Sequence, residues 1–220
     1  LLKSHRSIRK FTDQQIEPDL LDELFRAGQG AATSSFLQGS TIVRVTNPES
    51  RKQLAGFAGN QAYVETAAEF LVFCADLKRA GNYCAKYDMP FEGDFTEHFI
   101  IATVDVALMA QSLVTAAESV GLGICYIGGI RNNPGPVSEL LQLPRGVYPV
   151  FGLCLGYPDQ DPELKPRLPL SVVVKQEVYN EEGDAEAIAE AALRPNLTTV
   201  SEKPQEQLDL QALHRVRSRL

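Results

Sequence analysis

Tryptophan is absent from the 220 residues, methionine occurs twice, histidine three times and cysteine four times. The cysteines, Cys74, Cys84, Cys125 and Cys154, form no CxxC pair, and none stands beside a histidine at zinc-ligand spacing. That excludes the common zinc and dithiol motifs. Cys74 (LVFCAD) and Cys154 (GLCLGYP) lie in apolar runs and read as free buried thiols in a reducing cytoplasm. With three histidines, a His-rich metal site is not expected. The phosphate loop GxxxxGK[ST] is missing. GLGICY has two glycines of GxGxxG but Tyr126 where the third belongs, which disfavours a Rossmann site. GxSxG, HExxH and a Cys/His nucleophile arrangement are also missing. The start, LLKSHRSIRKF, lacks the apolar core of a secretion signal. It begins with Leu rather than Met, so a few native residues are expected ahead of it. The longest apolar run, 99–122, contains Asp105, Gln111, Ser112 and Glu118 and reads as too polar for a membrane span. Cations are in deficit: 21 Lys and Arg against 28 Asp and Glu give a net charge of −7. That argues against a general nucleic-acid binder. It leaves room for a local basic pocket that takes a phosphorylated small molecule.

What is present suits a globular chain. Hydrophobic residues make up 44% and charged residues 22%, enough apolar surface to bury a core without metal or disulfide support. PDLLDELFRAGQG reads as a helix opened by Pro18 and stopped by Gly28 and Gly30. AATSSFLQGS is a hydroxyl-rich loop, TIVRVT a short strand, and NPESRKQLAGFAG a helix with an Asn/Pro start. AAEFLVFCAD is a buried strand over 69–75. Residues 77–96 read as a mobile polar excursion that could form a lid. His98 to Val120 is the longest helix, apolar around nearly its whole circumference, and is expected to be central and buried. GLGICYIGGI is a Gly-punctuated strand and loop, PGPVSELLQL a helix, and GVYPVFGLCLGYP a second buried strand. DQDPELKPRLPL is a long Pro-rich loop of the kind that often carries function. From about residue 180 the chain turns polar and reads as an arm or tail with a weak final helix. The irregular alternation of helices and strands predicts a single α+β domain over 1–220.

Three cationic or polar clusters remain. The first is His5, Arg6, Ser7 and Arg9. Arg6 and Arg9 would come together on one helical turn and, with Ser7 and His5, surround a phosphate; a solvated basic N-terminus is the alternative. The second is Lys165-Pro166-Arg167, two cations stiffened by proline, suited to an anion or to a solubilising loop. The third is Tyr126-Ile127-Gly128-Gly129 after a strand, where paired glycines let backbone N–H groups approach a ligand, or form a plain turn. Thr33, Ser34 and Ser35 and Gln61 occur alongside them.

HRSIRKF, SSFLQ, AAEFLVFCAD, AAESVGLGICYIGGIRNN, FGLCLGYP and LKPRLP, in that order over roughly residues 4–180, resemble the oxygen-insensitive NADPH nitroreductase and flavin reductase P group of the FMN-dependent nitroreductase superfamily. The resemblance implies an α+β fold with a central mixed sheet flanked by helices, a long buried helix, and an intertwined homodimer embraced by the tail. It implies FMN in a groove between subunits and NADPH as electron donor. By motif, His5, Arg6, Ser7, Arg9, Lys165 and Arg167 would hold the phosphate and ribityl chain. Tyr126, Ile127, Gly128 and Gly129 would lie against the flavin ring, with a glycine N–H near N5. Gln61, Thr33, Ser34 and Ser35 would bond the ring edge or ribityl, with Tyr63 a further polar contact. Arg131, with Arg9 and Ser35, would face NADPH or substrate. The flavin carries the redox chemistry, so no catalytic side-chain dyad is expected. The implied activity is ping-pong reduction of nitroaromatics, quinones or related acceptors by NADPH. The alternatives are a flavin reductase that supplies reduced FMN to a partner, or a non-catalytic FMN-binding protein.

Overall fold

The computed structural model describes residues 1–93 and 95–193. The expected final helix and most of the polar tail lie outside those residues. Contacts divide the chain into two compact units, Leu1–Lys165 and Pro166–Leu220, the boundary falling inside the Pro-rich loop.

The first unit opens with a 3-10 turn at Leu2–Ser4, followed by an extended segment. Helix α1 (Pro18–Gln29) has Pro18 in its first turn, where the missing N–H costs nothing, and Gly30 beyond its end. A second 3-10 turn, Ser34–Phe36, leads into β1 (Ser40–Arg44). Asn47 caps α2 (Pro48–Phe57), its side-chain oxygen accepting the N–H groups of Glu49 at 2.9 Å and Ser50 at 3.1 Å. The short α3 (Tyr63–Thr66) precedes β2 (Glu69–Asp76). The excursion expected over 77–96 contains a helix, α4 (Lys78–Lys86), with no buried residue. The central helix α5 runs Thr96–Ser119. Then come β3 (Gly123–Ile127), a 3-10 turn at Gly128–Asn132, α6 (Pro134–Leu140) and β4 (Val147–Gly156). The second unit holds α7 (Leu170–Val173) and α8 (Asp184–Leu193). Lys175 Nζ meets Asp184 Oδ1 at 2.5 Å there.

The four strands form one sheet in the order β1-β2-β4-β3, every neighbouring pair antiparallel. A parallel bridge, Ser7 to Ile124, gives the sheet its mixed character. All eight residues of β2 are buried because both sheet faces are covered. Leu71, Phe73 and Ala75 join the core against α1 and α5, whereas Phe70, Val72 and Cys74 join the core beneath α2 and α6. That alternation is the period of two of a strand, hidden in sequence by apolar residues on both faces.

Helix α5 departs from the expectation of burial all round. Ala102, Asp105, Val106, Ala110, Leu113, Val114 and Ala117 form its buried stripe. Phe99, Ile100, Val104 and Leu108 stand exposed on the chain. Contrary to the sequence reading, this helix is long and apolar enough to cross a membrane, a test that the core helix of a soluble protein also passes. Its packing against α1 and β2 is that of a core helix with one face uncovered.

Candidate functional site

The basic N-terminal segment is extended, not helical, so Arg6 and Arg9 are not gathered on one turn. Ser7 bridges Ile124, and the Ile8 N–H donates to the Ile124 carbonyl at 2.8 Å. Ile8 packs so closely on Gly123 that a Cβ there would lie 2.6 Å from its side chain. In an extended chain successive side chains point opposite ways, so Arg6 and Arg9, three positions apart, separate. Arg6 Nη2 pairs with Asp161 Oδ1 at 2.5 Å and lines a cavity of about 420 Å³ with Ser4, Glu118 and Gly123. His5 Nδ1 sits 2.5 Å from Glu118 Oε1 at the end of α5.

Ser7 and Arg9 turn to the other side, over β3 and β4. Ser7 and Arg9 lie close to the Cys125 thiol, and Arg9 also lies close to the Tyr63 hydroxyl. Burial pushes the Cys125 thiol up, opposed by Arg9 and Ser7. Burial likewise raises Tyr63, with Arg9 pulling the other way. Cys154, directly across from Cys125, donates weakly to the Tyr63 carbonyl at 3.4 Å.

From Tyr63 the contacts continue to the glycine turn. The Tyr63 hydroxyl donates to Gln61 Oε1 at 2.7 Å, and Gln61 Nε2 donates to the Ala58 carbonyl at 2.8 Å. That same carbonyl is where Gly129 packs: a Cβ on Gly129 would stand 2.3 Å from it. Only glycine fits there. A Cβ on Gly128 would meet only the flexible end of Arg131, at 3.4 Å. Arg131 Nη1 donates to the Val150 carbonyl at 2.5 Å. Val150 lies at an irregularity, since Phe73 pairs with Phe151 and Cys74 with Pro149, and a bulged residue loses its ladder partner. The loop bearing Gln61 and Tyr63 is anchored by Arg51, whose guanidinium donates to the carbonyls of Val64, at 2.9 Å, and Ala67. Burial lowers the Arg51 pKa.

Ser7, Arg9, Gln61, Tyr63, Gly128, Gly129 and Arg131 are thus linked through contacts on one side of the sheet. Tyr126 and Ile127 contribute differently. The Tyr126 ring faces α5, edge-on to Phe151 at 5.2 Å, its hydroxyl 3.4 Å from Gln111. Burial pushes its pKa up to about 12. Ile127 is fully buried in the core, so it offers a ligand backbone atoms alone. Lys165 is exposed at the end of the first unit and Arg167 is exposed in the second.

Thr33, Ser34 and Ser35 lie elsewhere. Asp105, buried in α5, accepts the Ser34 N–H at 3.0 Å and the Gly39 N–H at 3.2 Å. The loop between them holds Ser35, Phe36 and Gln38 at positive φ. Thr33 lines a cavity of about 480 Å³ beside β1, and its buried hydroxyl has no partner among the described residues. Ser40, where this loop ends, is in line with Ala75 and Tyr148, whereas Ser7 is in line with Ile124 and Leu155. Across the sheet and along β4, those two rows are separated by on the order of 25 Å. The two parts of the predicted site therefore sit at opposite corners of one sheet.

The Nitroreductase family model matches residues 2–157. The chain belongs to the Nitroreductase family. The match stops ahead of Lys165 and Arg167. Across 178 residues the chain is 53% identical to the NADPH-flavin oxidoreductase of Vibrio harveyi, covering 81% of this chain and 72% of that one. It is 46% identical over 179 residues to the oxygen-insensitive NADPH nitroreductase of Salmonella typhimurium, covering 81% and 73%. The solved structure of the Vibrio harveyi NADPH:FMN oxidoreductase complexed with NAD+ superposes with a TM-score of 0.82 at 49% identity, covering 86% of this chain and 80% of that one.

Sequence reading of this Nitroreductase-family chain passed over Asp105, Glu118, Ala58, Cys125 and Arg51 as site residues. Asp105 had a signal: it is the lone carboxylate in the middle of an apolar helix, and such a group is buried only with partners. Ala58 had none, since its role belongs to its carbonyl.

Proposed function

We propose that the protein is an FMN-dependent oxidoreductase that uses NADPH to reduce nitroaromatics, quinones or related acceptors. The observation that carries the reading is the chain of contacts from Ser7 and Arg9 through Tyr63 and Gln61 to the Gly128–Gly129 turn. The residues fit FMN. Arg9 supplies a cation and Ser7 a hydroxyl for a phosphate or ribityl chain. Gln61 has a second amide N–H, and Gly129 brings backbone where a side chain would collide. FMN, when bound, supplies the two-electron chemistry, with NADPH and the acceptor using the same place in turn.

The chain's own groups hold and orient. Arg9 and Lys165, both in the first unit, would neutralise the phosphate. Gln61 would offer its free N–H to the ring edge, and Arg131 steadies the glycine turn through the Val150 carbonyl. His5 and Arg6, paired with Glu118 and Asp161 away from Arg9, would join the anion's partners only by leaving those carboxylates.

Thr33, Ser34 and Ser35 complete the site from a second copy of the chain. The corner-to-corner separation of the two clusters supports this, as does the apolar face of α5 exposed at Phe99, Ile100, Val104 and Leu108. The polar arm from about residue 180 would embrace that partner. The free cysteines, three of them buried, suit a reducing compartment such as the cytoplasm.

Flavin itself is a second acceptor reading, favoured by the name of the 53% identical relative. Purified protein should be yellow and carry about one FMN per subunit, and a colourless preparation that cannot be reconstituted with FMN contradicts the proposal. Turnover with free FMN, nitrofurazone and benzoquinone separates the acceptors: FMN far ahead of the others marks a flavin reductase.

A further inference from the structure

The hydroxyl loop that carries Thr33, Ser34 and Ser35 is gripped from two helices. Asp105 of α5 takes its N–H groups, from Ser34 and Gly39. Arg79, in the first turn of α4, takes its carbonyls. The guanidinium donates from Nη1 to the Gln38 carbonyl at 3.1 Å and from Nη2 to the Ser40 carbonyl at 3.2 Å. Nη2 also reaches the Thr41 hydroxyl and, at 3.1 Å, Asp76 Oδ2. Thr41 gives its own proton to that same carboxylate oxygen at 2.6 Å. Asp76, the buried last residue of β2, therefore aims the guanidinium. Its Oδ1 accepts the Arg79 N–H at 3.1 Å where α4 begins, and its N–H donates to the Gly39 carbonyl at 2.9 Å. Two carbonyls, a hydroxyl and a carboxylate on one side chain need several donors in a fixed fork, which a guanidinium has and an ammonium lacks. Arg79, Gln38, Ser40, Thr41 and Thr33 line one cavity.

We propose that Arg79 is a positioning residue that sets the carbonyl side of the hydroxyl loop from α4 and so fixes Thr33, Ser34 and Ser35 for the ligand. Ser35, Phe36 and Gln38 are held left-handed, a conformation that non-glycine residues leave when the restraint is lost. With Arg79 gone, the exit of the loop at Gln38 and Ser40 is free to turn even while Asp105 keeps its two N–H groups. The polar excursion thus has a place in the site through one side chain of α4. This rests on the FMN reading above, in which the loop completes the site of a second copy.

Arg79→Lys and Arg79→Ala test the proposal. Lysine keeps a cation for Asp76 and loses the fork. FMN affinity, followed by quenching of free FMN fluorescence, should fall about threefold or more in both variants. In the FMN-free protein the Leu37 and Ser40 amides, which donate to Ser34 and Gln38 inside the loop, should exchange with solvent about tenfold faster. In a Thr33→Ala/Ser34→Ala/Ser35→Ala background, Arg79→Lys should change FMN affinity by less than about 1.5-fold, because no hydroxyl is left to position. Affinity and exchange in Arg79→Lys equal to those of the unmodified protein would overturn the proposal, since the pair with Asp76 would then be the whole role. Faster exchange with unchanged affinity would overturn it too, as would a loss of affinity that persists in the triple-alanine background, the mark of a general loosening. All three leave the FMN reading intact. Should Arg79→Ala fail to fold, Arg79→Lys carries the test. An unmodified protein that binds no FMN overturns both, and that is read first.

Discussion

The carboxylate of Asp105, buried in the middle of α5, accepts the backbone N–H of Ser34 at 3.0 Å. Its other oxygen takes the Gly39 N–H, so one side chain clamps both ends of the hydroxyl loop. Three non-glycine residues between those ends are left-handed, each at about 1–2 kcal/mol. The clamp offsets that strain. Asp105→Ala should lower stability by about 2–3 kcal/mol through the lost charge-assisted bonds. Denaturant unfolding measures it, and a change below about 0.5 kcal/mol, the level of an ordinary surface substitution, would show that the loop holds itself.

Gly128 and Gly129 are neighbours in sequence but should respond differently to alanine. On Gly129 the new Cβ would lie 2.3 Å from the Ala58 carbonyl oxygen, a rigid backbone atom. On Gly128 it meets the movable end of Arg131. Gly129→Ala should cost about 1–3 kcal/mol by overpacking, while Gly128→Ala should leave the melting temperature nearly unchanged. Equal effects in thermal unfolding would remove the close approach at Gly129.

Alkali should destabilise the fold. Burial pushes Cys74 from 9.0 up to about 12 and Tyr126 from 10.0 up to about 12. The folded state keeps these protons after the unfolded state has lost them. Their contribution is therefore complete below about pH 9 and is lost as pH rises toward about 12. The melting temperature should fall between pH 8 and pH 11 (chosen to straddle the unfolded-state values), and less steeply in Cys74→Ala. An equally steep fall in that variant would exclude Cys74 as a contributor.

Removing cations from the site should release the cofactor without unfolding the chain. Arg9→Ala combined with Lys165→Ala removes two charge-assisted contacts, each worth about 1.5–3 kcal/mol. FMN retention through gel filtration should drop sharply while circular dichroism stays the same. Unchanged retention would make both residues solvated surface.

Much of the fold was legible because its signals are local. Pro18 and Gly30 bracket α1, Asn47 and Pro48 open α2, and the apolar runs of β2 and β4 mark buried strands. The excursion hid α4 because its inward face carries only small residues, Ala80, Gly81 and Cys84, none of them fully buried. Helix α5 looked buried all round because apolar residues cover both its core stripe and its exposed face, and sequence cannot say which neighbour covers which. The site was legible as residue types and less so as geometry. A helical turn was expected to join Arg6 and Arg9, but pairing with β3 made the segment extended, a tertiary choice that local spacing does not carry. The alternation of β3 sent the Tyr126 ring toward α5 while Cys125 went under Ser7. Strand order put Thr33–Ser35 at the corner opposite Arg9, which no stretch of sequence records.

The measurement that bears most directly on the central claim is anaerobic mixing of the FMN-loaded protein with NADPH. The account predicts rapid loss of the flavin's visible absorption band, restored when a quinone or nitroaromatic is added. A protein that binds FMN yet keeps that band unchanged under NADPH would contradict it.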